Sequence, residues 1–175
     1  MSNYFGKINS DISGYFSELK IMLPYFDEEI EVYLGKGYDD YSTDLLPPPT
    51  CQQLAEYEQA LKVFLDNIDT IIVDIKQAAF ENYLKYFAEY YEEPFHVLSE
   101  NNLVKSDQTS GLHPPLNIDS AEKHFEYMKN VIGFMVLDKN TIIISISYAL
   151  DEEHGIEFKL IDNKVAQIDA IAGTY

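Results

Sequence analysis

The sequence contains no arginine: all twelve basic residues are lysine, against thirty acids, and the formal net charge is -18. Arginine is the planar fork that reads phosphates and base edges bidentately, and a field this negative repels a polyanion. Nucleic-acid binding is therefore disfavoured. An anionic membrane surface is disfavoured for the same reason. What the charge favours is a cation or a basic protein partner, because a one-signed surface accelerates encounter with the opposite sign. Acidity also serves solubility alone, and that plainer reading stands beside it.

Cysteine is nearly absent too. The lone Cys51 excludes an internal disulfide and any thiolate cluster for zinc or iron, which points to a reducing cytoplasm. No apolar run approaches the roughly 20 residues needed to span a bilayer. The start, "MSNYFGKINSDISGYF", has no basic region followed by an apolar core, so no secretory signal is expected. What is abundant is aromatic: fourteen Tyr and ten Phe within 46% hydrophobic residues exclude disorder as a description of the whole chain. At 175 residues the chain fits one domain spanning 1–175.

Two segments interrupt the patterning. Residues 35–49, "GKGYDDYSTDLLPPP", combine glycines, acids and three prolines; residues 99–117 form a polar stretch ending in another Pro pair. Both read as long loops. Before the first, Ile30, Val32 and Leu34 alternate with polar neighbours as in a half-buried strand, with a partner strand expected within 15–23. Between the loops the period becomes helical. Thr50 and Gln53 form a T-x-x-Q capping box before a helix over about 51–65, and Ile68, Ile71, Ile72, Ile75, Ala79 and Tyr83 carry a second helix to Glu93, ahead of Pro94. Asp119 and Glu122, in capping-box spacing, open a short third helix. The rest is β: "VIGFMVL", "TIIISISYAL", "IEFKLI" and "KVAQIDAI", with turns at 138–140 and at Asp162-Asn163, make a meander of about four strands. The fold class expected is α+β: an antiparallel sheet of N-terminal strands and that meander, with two long helices and one short helix on one face. The other face is left exposed or partner-facing.

The densest cluster of potentially chemical side chains is "YALDEEHGIEF", 148–158. Asp151, Glu153 and His154 are competent ligands for a divalent cation, and Gly155 permits a turn that could gather them. However, neighbouring strand residues point to opposite faces, and no second His or Cys lies nearby in sequence. A structural connection carrying solvated acids is the better reading. His96, His113 and His124 are scattered, and no nucleophile elbow, phosphate loop or His-Glu-x-x-His motif is present, so no catalytic residue, metal set or cofactor is assigned. "DYSTD" gives Asp40, Ser42 and Asp44 the spacing of calcium-loop ligands, but Leu45 and Cys51 stand where such a loop needs Gly and Glu. Cys51, in the first turn of a capped helix, is a candidate reactive thiol, although a small residue filling that turn is the better reading. The run "NYLKYFAEYYEEPF" offers aromatic contact area, most of it expected in the core.

The segment "LDEEHGIEFKLIDNKVAQID" resembles the C-terminal signature of small acidic bacterial proteins of unknown function, in which a strand ends in Asp-x-Glu-His-Gly before a hairpin; "LPYFDEEIEVYL" resembles the leading strand of that group. The matching positions are Asp151, Glu153, His154 and Gly155. Leu150 stands where the group usually has Trp, and the hairpin turn lacks Gly. The resemblance implies an α+β fold without established catalysis, and some similar proteins look like immunity factors that neutralise bacterial toxins. The expected function is thus a non-enzymatic, acidic, cytoplasmic protein-binding module of the immunity or antitoxin kind, with Asp151, Glu152, Glu153, His154 and Gly155 facing the partner. The alternatives are a metal-dependent hydrolase using Asp151, Glu153 and His154, and a structural homo-oligomer such as a homodimer.

Overall fold

The computed structural model of the protein describes residues 4–38, 45–92, 95–99, 102–105, 114–128 and 132–170. In chain order the elements are β1 (Ile8–Asp11), β2 (Gly14–Met22), β3 (Glu29–Leu34), α1 (Cys51–Asp66), α2 (Ile68–Tyr86), α3 (Ala88–Tyr91), β4 (Phe95–Ser99), β5 (Asn102–Lys105), α4 (Ala121–Phe125), β6 (Ile132–Asp138), β7 (Thr141–Tyr148), β8 (Asp151–Ile161) and β9 (Lys164–Asp169). Seven strands form one sheet in the order β1-β2-β3-β6-β7-β8-β9, while β4 and β5 pair separately. The fold is α+β.

The sheet is mixed, which corrects the antiparallel expectation. Every join is antiparallel except β3 with β6, which run parallel in the register Val32 to Met135 and Leu34 to Leu137. A parallel join needs a crossover, and the chain uses the helical middle of the sequence to make it. Local periodicity reports that a segment is a strand but not the direction of its neighbour, so the sequence left this join open. Three further expectations are corrected. The N-terminal region supplies an additional strand, β1; the segment 99–117 includes the strand β5; and the second helix ends at Tyr86, where Phe87 (φ −117°, ψ −31°) breaks it before the one-turn α3. The break turns the Phe87 ring edge-on to Tyr148 at 5.5 Å. Among the described residues there are four helices where three were expected. Ser120, rather than Asp119, caps α4, its hydroxyl accepting from the Lys123 N–H, while Asp119 pairs with the Lys123 ammonium at 2.9 Å.

The capping box at α1 is formed in both directions: Gln53 N–H donates to Thr50 Oγ1 (3.3 Å) and Thr50 N–H donates to Gln53 Oε1 (2.8 Å). From that fixed start, Tyr57, Leu61 and Phe64 fall on the buried face of α1, and Ile71, Ile72, Ile75, Ala79 and Tyr83 on that of α2. They close over the alternate residues of the sheet, Val32, Met135, Ile142, Ile144, Phe158 and Leu160 among them, in one continuous core. The opposite sheet face is not open at its centre: Val136, Ile143, Ser145 and Glu157 are buried there, and Ser145 Oγ donates to Glu157 Oε2 at 2.7 Å.

Two local features fix the edges of this frame. Gly37 passes so close to the β1–β2 turn that a Cβ added there would lie 2.1 Å from the Ser13 carbonyl oxygen. Between β2 and β3, Tyr25 takes φ 72°, unusual for an aromatic residue, and its ring sits 4.6 Å from the buried Lys76 ammonium. Lys76 also faces Phe125 at 4.6 Å and pairs with Glu122 at 2.8 Å.

Replacing Gly37 with Ala is expected to lower urea-unfolding stability by more than Thr50→Ala, which removes a cap worth about 1 kcal/mol, because backbone must move to admit the new methyl. Urea midpoints of the two variants against the parent check the order.

Candidate functional site

Asp151 to Gly155 do not form the connection between two strands; they lie inside β8 and bulge from it. The β7–β8 turn comes earlier, at Ala149 and Leu150, and the pairing runs Tyr148 with Asp151, then Ile146 with Ile156. Ser147 alone therefore opposes the four residues 152–155. A bulge this large needs a residue that tolerates positive φ, and Gly155 supplies it at 64°. Asp151 closes the loop from the other side. Its Oδ1 accepts the His154 backbone N–H (3.2 Å) and meets the His154 ring Nδ1 (2.9 Å).

The consequence for the five candidate residues is specific. Asp151 and His154 are brought together as a hydrogen-bonded pair that locks the bulge and becomes an ion pair when the imidazole is protonated. Glu152, Glu153 and His154 are exposed, and Gly155 is half-buried. The hydrogen bond that the His154 ring makes to the Asp151 carboxylate, with the charges of Asp151 and Glu153, raises the His154 pKa above the ordinary imidazole value.

The bulge is held in place from below by contacts that the sequence did not disclose. Tyr91 Oη donates to the Leu150 carbonyl (2.6 Å) and the Ala149 N–H donates to the Tyr127 carbonyl (3.0 Å), so α3 and the end of α4 both grip the β7–β8 turn. Under the turn, Tyr148 is fully buried with its hydroxyl 2.6 Å from Nε2 of His124, itself inaccessible to solvent. The Tyr83 ring lies 5.0 Å from the imidazole, and the Tyr83 hydroxyl donates to Glu92, whose two oxygens accept the Ile118 and Asn117 N–H groups at 2.8 Å each. Burial pushes both tyrosine hydroxyls well above their usual pKa and drives His124 down to about 4. The imidazole is thus neutral, and its Nδ1 has no hydrogen-bond partner among the described residues. No sequence spacing joins residues 83, 92, 124 and 148. Only the apolar character around each foretold burial.

As a chemical apparatus the cluster has the Asp151–His154 pair on the surface and the Tyr83–Glu92 and His124–Tyr148 hydrogen bonds inside, separated by the β7–β8 turn. Among the described residues no group of three or more His, Cys, Asp or Glu side chains is arranged to hold a metal ion. His96 lies on β4, His124 on α4 and His154 on β8, while His113 and residues 40–44 of "DYSTD" fall outside the described residues. Cys51 is exposed at the first position of α1. The Tyr-rich run divides: Tyr83 is core, Phe87 and Tyr91 pack against it, and Tyr86 and Tyr90 are about half exposed at 55% and 48%. No helix among the described residues is long and apolar enough to cross a membrane.

Compared with protein-family models, curated proteins and solved structures, the chain gives no match.

The two histidines predict opposite titrations. By NMR, His154 is expected to titrate above the ordinary value of about 6.5 and to return towards it in Asp151→Asn, while His124 stays neutral until about pH 4. For stability, the unfolded chain takes up the His124 proton first as pH falls through about 6.5, so folding weakens from there down to about pH 4, by roughly 3 kcal/mol at most. The His154 pair acts in the opposite sense: its contribution is present below about pH 6.5 and disappears as pH rises through the elevated folded value. Urea midpoints between pH 4 and 7 for the parent and His124→Gln check the first: the variant loses the decline attributable to this site.

Proposed function

We propose that this chain is a non-enzymatic, acidic protein that binds a basic protein partner in a bacterial cytoplasm, in the manner of an immunity or antitoxin protein. The observation that carries this reading is the exposed acidic bulge: Glu152 and Glu153 stand out from β8 on a turn gripped by α3 and α4, in a chain of net charge -18. Charges presented on a fixed element steer encounter and fix register at little cost in ordering. Burial raises the pKa of the half-buried Tyr91 beneath the bulge, and the charges of Asp151 and Glu152 add to it. Tyr86 and Tyr90, exposed on the preceding helices, add aromatic area of the kind that anchors interfaces. The resemblance of "LDEEHGIEF" to small acidic proteins of the immunity kind supports the same reading.

The enzyme alternative loses support from geometry. Asp151 and His154 are paired with each other, and that pair serves the bulge. A homodimer is opposed by charge, because two copies would bring together surfaces of the same strong sign.

The test uses basic protein domains encoded beside the gene. Calorimetry is expected to show binding that weakens as salt rises from 50 to 500 mM, and the double variant Glu152→Lys/Glu153→Lys is expected to slow association roughly tenfold or more. If no basic neighbour binds in a salt-sensitive way, the proposal fails.

A further inference from the structure

A second surface lies away from the bulge, between the exposed side of α1 and the tips of two hairpins. The space is an open groove of about 640 Å³, within the size range of ligand-binding sites. On one side α1 presents Ala55, Glu56, Ala60 and Val63, which share a helical stripe; on the other stand Asn140, Ile142, Asp162 and Asn163. The stripe from Ala55 to Val63 runs about 12 Å along the helix axis, which suits a stretch of chain better than a compact small molecule.

Both walls are set before anything binds. The α1 wall begins at the Thr50 capping box, and Gln52 Nε2 holds the Glu56 carboxylate at 2.9 Å. The hairpin tips are tied to one another: Asn140 Nδ2 donates to Asp162 Oδ1 and the Asp162 N–H donates to the Asn140 carbonyl, each at 3.1 Å. Asp162 and Asn163 both hold positive φ, at 50° and 63°, as the tight turn of this hairpin requires.

The chemistry of the lining selects the occupant. The two alanines leave room for close approach, Val63 is 39% exposed, and the groove carries carboxylates on both walls, Glu56 and Asp162, with no cationic side chain among its lining residues. Lys139 and Lys164 adjoin the tips in sequence but do not line the space. A second copy of this chain, at -18, would meet its own charge here.

We propose that the groove between α1 and the β6–β7 and β8–β9 tips docks a basic amphipathic segment of a protein partner, its apolar side on Ala55, Ala60 and Val63, over a floor formed by the buried Ile142, and its cations beside Glu56 and Asp162. This assignment rests on the partner-binding reading above and gives it a second, apolar contact.

The probe is a fluorescein-labelled twelve-residue peptide of Lys and Leu patterned as an amphipathic helix, added to the full chain and followed by anisotropy and by amide NMR shifts. Oligolysine of equal charge and a Glu/Leu peptide of the same pattern are the comparators. The expected result is saturable binding of the Lys/Leu peptide with shifts centred on residues 52–63, 140–142 and 162–163, weaker and diffuse binding of oligolysine, and none of the Glu/Leu peptide. Ala55→Arg, at an exposed position that leaves the far-UV spectrum unchanged, is expected to weaken the Lys/Leu peptide tenfold or more. Shifts centred on 151–155, indifference to Ala55→Arg, or concentration-dependent shifts in the groove without peptide, the mark of self-association, would each overturn the assignment. A neighbouring basic domain that binds the parent and Ala55→Arg equally removes the groove and leaves partner binding at the bulge standing. Peptide binding in the groove without any salt-sensitive protein partner does the reverse.

Discussion

The parallel join of β3 and β6 is the constraint from which the architecture follows. Two hairpin-built sheet fragments, β1 to β3 and β6 to β9, meet edge to edge through this one ladder. The chain leaving Leu34 must return to the starting end of the sheet before Ile132 can lie alongside, and it does so through α1, α2, α3 and α4. The helices supply the cover for Val32, Met135 and Ile144 in the same path. Remove the parallel ladder and β1, β2 and β3 lose their join to the rest of the sheet.

Charge and structure are separated by depth. Among the described residues the acids lie at the surface except the buried Glu157 and a few half-buried ones, while the polar groups taken into the interior are matched locally. Ser145 donates to Glu157, Tyr83 to Glu92, and Glu92 in turn accepts from the backbone at 117 and 118. A buried polar group without such a partner is costly, and these pairings keep the negative chain compatible with a dense core. His124 stands as the exception, with one ring nitrogen satisfied and the other not, and it answers by remaining neutral.

How much of this was legible in the sequence depends on the range over which each feature is encoded. The α1 start was legible because Thr50 and Gln53 are three residues apart and carry the whole device between them. The strands of the C-terminal half were legible from the alternation of Ile142, Ile144 and Ile146. The bulge was half legible: Gly155 and the acids announced a departure from regular strand, but its place inside β8 follows from the pairing with Ser147 across the ladder, which no local pattern contains. The network of Tyr83, Glu92, His124 and Tyr148 was illegible for the same reason, since its members come from α2, the end of α3, α4 and β7. The groove was hidden more deeply, because it belongs neither to α1 nor to the hairpins but to the distance between them.

The setting of Lys76, the one lysine buried among the described residues, decides what it can report. Its ammonium packs between the Tyr25 and Phe125 rings and pairs with the Glu122 carboxylate, groups that come from two separate parts of the chain: the β2–β3 turn and α4, which supplies both a ring and an acid. With 10% of its side chain exposed, Lys76 is acylated slowly while α4 and the Tyr25 turn stay in place and faster when either moves away. The acylation rate of this one lysine is therefore a clock for the opening of the helical layer, readable by mass spectrometry in the native protein without any introduced label.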